Sequence, residues 1–110
     1  MRLATVREFA LSLPEAGEAP HFHFNSFRVR GKMFVTVPPG EEVIHVFVPE
    51  AIREPILAAH PDFIEKLLWG GKVVGLRIVL RQATPAVVKR LVRLAWEHKA
   101  PKALRMKRVR

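Results

Sequence analysis

The sequence predicts an α+β fold, a two-layer sandwich whose mostly antiparallel sheet carries helices on one face. Three observations predict it. Apolar residues recur at helical spacing near both ends of the chain and once in between. The stretches between those segments alternate with period two and are broken by Gly and Pro. The chain has 110 residues and is 49% hydrophobic, which suits one domain with a single core.

Val6, Phe9, Ala10 and Leu13 share one helical face, Thr5-Val6-Arg7-Glu8 has capping-box spacing, and Pro14 ends the segment. A helix is expected over about residues 4–13, and residues 15–20 read as a loop. From Pro20 to Pro49 the period is two. Phe22, Phe27, Val29, Met33, Val35, Ile44 and Val46 are expected to face inward. Pairing Val29 with Met33 around Arg30-Gly31-Lys32 keeps the apolar faces together, so a three-residue hairpin is expected there. Pro38-Pro39-Gly40-Glu41 makes the next connection.

A second helix is expected over about residues 50–59, ending before His60-Pro61. A short turn starts at Asp62 and runs to Leu67 or Leu68, and Trp69-Gly70-Gly71-Lys72 reads as a loop that lets Trp69 pack. Val74, Leu76, Ile78 and Leu80 alternate with Gly75, Arg77, Val79 and Arg81, giving a last strand. Thr84 suits an N-cap and Pro85 a first helical position, before a stripe of Val87, Val88, Leu91, Val92 and Ala95. The third helix is expected over about residues 85–98. The order is therefore helix, three or four short strands, helix, one or two strands, helix.

The chain carries 19 Lys+Arg against 10 Asp+Glu, a net charge of +9. Lys99, Lys102, Arg105, Lys107, Arg108 and Arg110 fall in the last twelve residues, which contain no acid. That segment reads as a basic C-terminal tail, residues 99–110, behind a single domain, residues 1–98. Such a tail neutralises phosphates and releases counterions. The outward face of the sheet is expected to show His21, His23, Arg28, Arg30, Lys32, Phe34, Thr36, His45, Phe47, Arg77, Val79 and Arg81. Cations interleaved with aromatics, and no acid, suit a polyanion with stackable bases. The same face could instead be an ordinary solvated one, or a dimer contact burying Phe34, Phe47 and Val79.

Other chemistry is poorly served. There is no Cys, so disulfides and thiolate sites are excluded. Ser12 and Ser26 lack nucleophile-elbow flanks, and Asp62 is the single Asp. His21, His23 and His45 offer imidazoles, but no carboxylate is placed to complete a metal site. Gly70-Gly71-Lys72 lacks phosphate-loop spacing. No enzyme activity, cofactor or metal is expected. Charged Arg7 and Glu8 arrive before any signal-like apolar run, and no stretch suits a membrane helix, so a soluble cytoplasmic protein is expected.

Ser26-Phe27-Arg28-Val29-Arg30-Gly31-Lys32-Met33-Phe34 resembles the F-R-V-x-G-K-x-F hairpin of the MmcQ/YjbR-like family. Trp69-Gly70-Gly71, Val74-Gly75-Leu76-Arg77, and Trp96 with Ala100-Pro101-Lys102 resemble its later segments in the same order. The resemblance spans nearly the whole chain. It implies the order α-β(3)-α-β(2)-α, similar in outline to type III secretion chaperones. It also implies DNA binding through a double wing of hairpins, with Arg28, Arg30 and Lys32 matching the basic wing. It carries over no catalytic residue. Lys72-Val73-Val74 lacks the aromatic that many members have on entering the last strand. The expected partner is therefore DNA, or RNA, held by Arg28, Arg30, Lys32, Arg77, Arg81 and the tail, with Phe34 stacking on a base. The alternative is a protein-interaction or chaperone-like module that forms a homodimer or takes a partner through the open sheet face.

Overall fold

The computed structural model describes residues 1–40 and 42–109, with side chains through residue 106. The chain runs α1 (Leu3–Ser12), β1 (Ala16–His21), β2 (Phe24–Val29), β3 (Lys32–Val37), β4 (Val43–Val46), α2 (Glu50–Ala59), β5 (Ile64–Trp69), β6 (Lys72–Val79), α3 (Pro85–Lys99) and α4 (Lys102–Val109), with a 3-10 turn at Leu80–Gln82. The strands form one sheet in the order β1-β2-β3-β4-β6-β5, and every pairing is antiparallel. The α+β architecture holds, with one more strand and one more helix than the order α-β(3)-α-β(2)-α.

The helices cover one face of the sheet. Phe27, Val29, Val35, Ile44, Val46, Leu76 and Ile78 pack there against Val6 and Ala10 of α1, Ile56 of α2, and Val88, Leu91, Val92 and Ala95 of α3. Each fully buried Val, Leu, Ile or Phe among them contributes roughly 1.5–3 kcal/mol against exposure. Trp96 is sealed in the same core and donates its indole N–H to the Pro14 carbonyl at 3.1 Å. Thr84 takes the N-cap position of α3 as expected, though its side chain makes no capping bond. The expected capping box at Thr5 is absent, because α1 begins at Leu3 with Arg2 as its N-cap.

Four local expectations are corrected. The segment read as a loop before Pro20 is edge strand β1, whose Glu18, Gly17 and Pro20 conceal the period. The segment read as a turn after Asp62 is edge strand β5, where a register shift at Leu67/Leu68 and outward charges break the alternation. Within the segment read as a basic tail, Lys99 ends α3 and Lys102–Val109 form helix α4. Pro101 accepts the first bonds of that helix, from Leu104 and Arg105, and Leu104 joins the core. The β2–β3 connection has two residues, not three: Arg30 (φ 50°) and Gly31 (φ 80°) both adopt left-handed backbone, and Val29 pairs with Lys32.

That shorter turn has a consequence. Phe27 pairs with Val35 and Arg28 with Met33, so Phe34 is the extra residue of a β-bulge. Phe34 and Val35 both enter the helix-covered core, fully buried, while Met33 pairs with Arg28 of the opposite face. The expected facing of Phe34 and Met33 is thus reversed. Phe22, expected inward, occupies the β1–β2 turn and is 90% exposed.

Candidate functional site

Cross-strand pairing aligns Ala19, Ser26, Thr36, His45, Arg77 and Glu65 in one row on the face without helices. Ser26 and Thr36 are nevertheless fully buried. The Ser26 hydroxyl donates to the Ala19 carbonyl at 2.6 Å and accepts from Arg28 Nε at 3.0 Å. Thr36 Oγ1 lies 3.3 Å from His45 Nδ1. Burial, and then the nearby Arg77 charge, lowers the His45 pKa to about 4, so the imidazole is neutral near pH 7. Arg77 donates to Glu65 at 2.7 Å.

The open face is concave. Trp69 ends edge strand β5, and the His21–Phe24 turn lies at the opposite edge of the sheet. Six flat strands would hold those edges about 24 Å apart, yet these residues line one cavity of about 310 Å³. An aromatic line crosses the hollow. Phe24 is 6.0 Å from the His45 ring, and Phe47 meets Trp69 edge-to-face at 5.1 Å. A second cavity, of about 390 Å³, is lined by Lys32, Met33, Phe47, Trp69, Val74 and Lys99. Trp69, 41% exposed, therefore belongs to both cavities. Lys99 Nζ stands 5.8 Å from the centroid of the Phe47 ring, within cation–π range.

The expected site residues do not form one row. Arg28 is folded onto Ser26, and Arg77 onto Glu65. Arg30 sits in the β2–β3 turn and makes a two-pronged ion pair with Glu15. Arg81 lies in the 3-10 turn at the other end of the sheet, beside Met1 and Glu42. Phe34 is in the core, where no base can reach it without unpacking α3. A dimer contact through Phe34 is closed for the same reason, and Phe47 is buried against Trp69.

Lys32 and Lys99, far apart in sequence, do converge on one cavity. Neither forms an ion pair among the described residues. Lys102 and Arg105 are exposed on α4. The side chains of Lys107 and Arg108, and the whole of Arg110, lie outside the described residues. The positive field of this end acts on His98, whose pKa is lowered by burial and then by Lys99, Arg53 and Arg105. Trp69 and its contact with Phe47 escaped the sequence reading. The signal was the Trp69-Gly70-Gly71-Lys72 run, a two-glycine hairpin turn that reveals β5 and puts the indole at a strand end.

His21 ends β1 and His23 lies in the β1–β2 turn, while His45 is buried beside Thr36. Among the described residues no three His, Asp or Glu side chains are grouped to hold a metal ion. No described helix is long and apolar enough to cross a membrane.

The YjbR family model matches residues 11–98. The chain belongs to the YjbR family. A crystal structure of the Deinococcus radiodurans protein DR2400, with its DUF419 domain, is similar to this YjbR-family chain with a TM-score of 0.78. The two share 18% sequence identity, over 96% of this chain and 86% of that one, which speaks for the fold alone. A search of curated proteins gives no match. The YjbR match ends at His98, so Lys99 and α4 lie beyond the matched residues.

Proposed function

We propose that this YjbR-family chain is a non-enzymatic nucleic-acid-binding domain, with DNA as the expected polymer. It holds phosphates on the end of the molecule where the β2–β3 turn, the end of α3 and the start of α4 meet. The carrying observation is the convergence of Lys32 and Lys99 on a cavity with no carboxylate in its lining. Leu104 anchors α4 to the core, so Lys102 and Arg105 project from a fixed frame rather than a loose tail. Cations held in place without carboxylate partners are available to release counterions from a phosphate backbone.

The test is fluorescence anisotropy with short labelled DNA over roughly 50–200 mM salt. Affinity is expected to fall steeply with salt, and K32A and K99A each to reduce the salt slope by about one. No binding at the lowest salt, or binding indifferent to salt, overturns the reading.

One observation favours a second reading, a protein-interaction module: Phe22 and Leu68 are both exposed, at 90% and 58%, near the edges of the sheet. Size-exclusion chromatography with light scattering separates the two. A stable dimer that shields Trp69 from acrylamide would favour the protein partner.

A further inference from the structure

We infer that the two cavities on either side of Trp69 form a stacking track for single-stranded nucleic acid, with successive bases on the two sides of the indole and Phe22 as the outer platform. The inference rests on the nucleic-acid reading above and specifies the form of polymer that the site takes.

Three observations carry it. First, the indole is common to both cavities, and each cavity is hundreds of cubic ångströms in volume. The floor of the first, Met33, Phe47 and Val74, is apolar, and the wall of the second is Phe22 and Phe24. Such recesses accept a planar ring, and bases paired inside a duplex cannot enter them. Second, charge is complementary to a backbone on the outside of stacked bases. Lys32 and Lys99 border the first cavity, Lys72 opens β6 opposite Trp69, and neither lining contains a carboxylate.

Third, Phe22 holds a left-handed backbone (φ 57°) at a hairpin turn, with its ring in solvent. Glycine is the residue that such a position favours. The ring meets His21 edge-on at 4.8 Å and is 90% exposed, so core packing does not offset the strain. A strained, exposed aromatic that lines a cavity opposite an indole is suited to a ligand contact.

The experiment titrates full-length protein at low salt with a short oligothymidylate and with a duplex of equal length, reading intrinsic fluorescence and anisotropy together. Trp96 is sealed in the core, so emission changes report Trp69. Oligothymidylate is expected to bind more tightly than duplex and to quench Trp69. W69A and F22A are each expected to weaken the single strand by roughly 5- to 150-fold, the range of one lost stacking contact, and to leave duplex affinity within twofold. F22G is expected to lose the same affinity while raising Tm, which separates lost contact from lost fold. If both polymers bind with a salt dependence but the emission is constant and F22G binds as the parent does, the track is overturned and the phosphate reading stands. If neither polymer binds, both fall.

Discussion

Gly75 lies so close under Val46 that a Cβ on it would sit 2.2 Å from the Val46 carbonyl oxygen and 3.3 Å from the Phe47 Cα. This contact lets β4 and β6 approach where the chain leaves β4, and Phe47 then bonds back to the Phe34 carbonyl at 3.1 Å. The aromatic floor of the first cavity is thus set by the absence of one methyl group. Gly75→Ala is expected to cost about 2–4 kcal/mol, since backbone must move to admit it. Urea denaturation checks this; a loss below about 0.5 kcal/mol would show that the strands yield freely.

His45 makes stability depend on pH. Its folded pKa of about 4 lies below the ordinary 6.5, so the unfolded chain binds the proton first as pH falls. The stabilisation from neutral His45 is fully present above pH 6.5, declines below it and is gone near pH 4. The total is on the order of 2 kcal/mol, less than the full shift implies because the site is not wholly dry. Thermal melts at pH 7.5, 5.5 and 4 should show the decline, with a smaller one in His45→Gln. Equal slopes in the two proteins would remove His45 as its cause.

Phe22→Gly relieves the left-handed backbone without losing buried area, since the ring is exposed. The expected gain is about 1 kcal/mol, a rise in Tm of several degrees for a domain of this size. It is smaller than the strain because glycine adds entropy to the unfolded chain. A fall in Tm would mean that the ring makes stabilising contacts.

Ser26 is a buried junction between Ala19 and Arg28. Ser26→Ala leaves the Ala19 carbonyl without its hydroxyl donor and removes the acceptor of Arg28, at an expected cost of about 1–2 kcal/mol. Chemical denaturation measures it. Hydrogen exchange should also show β1 opening more readily, and an unchanged β1 would place the cost elsewhere.

Leu104 is the apolar anchor of α4. Leu104→Ala is expected to cost about 2 kcal/mol and to remove amide protection across 102–106 while the sheet amides stay protected. The salt slope for DNA should flatten in parallel. Retained protection would show that α4 holds by other means.

Much of this was legible in the residues. The stripes of α1, α2 and α3 and the alternation of β2, β3, β4 and β6 follow from periodicity, because those segments bury one face. The edges were not legible. β1 buries no residue fully, and β5 buries Ile64 and Leu67, three apart, so neither shows a period of two. The site failed at one step. Counting Arg30-Gly31-Lys32 as a three-residue turn shifted β3 by one residue and turned Phe34 outward, whereas a two-residue Arg30–Gly31 turn followed by a bulge puts it in the core. The pairing of Arg30 with Glu15 and of Arg77 with Glu65 depends on tertiary approach and leaves no trace in local sequence.

Both outermost strands present backbone that a neighbouring molecule could extend. β1 interrupts its row of donors with Pro20 and carries Glu18; β5 carries Glu65 and Lys66 and is kinked at Leu67/Leu68. Such features oppose edge-to-edge growth into fibres or strand-swapped pairs. An uncapped sheet of this kind can remain monodisperse at high concentration while its hollow side stays free for a guest.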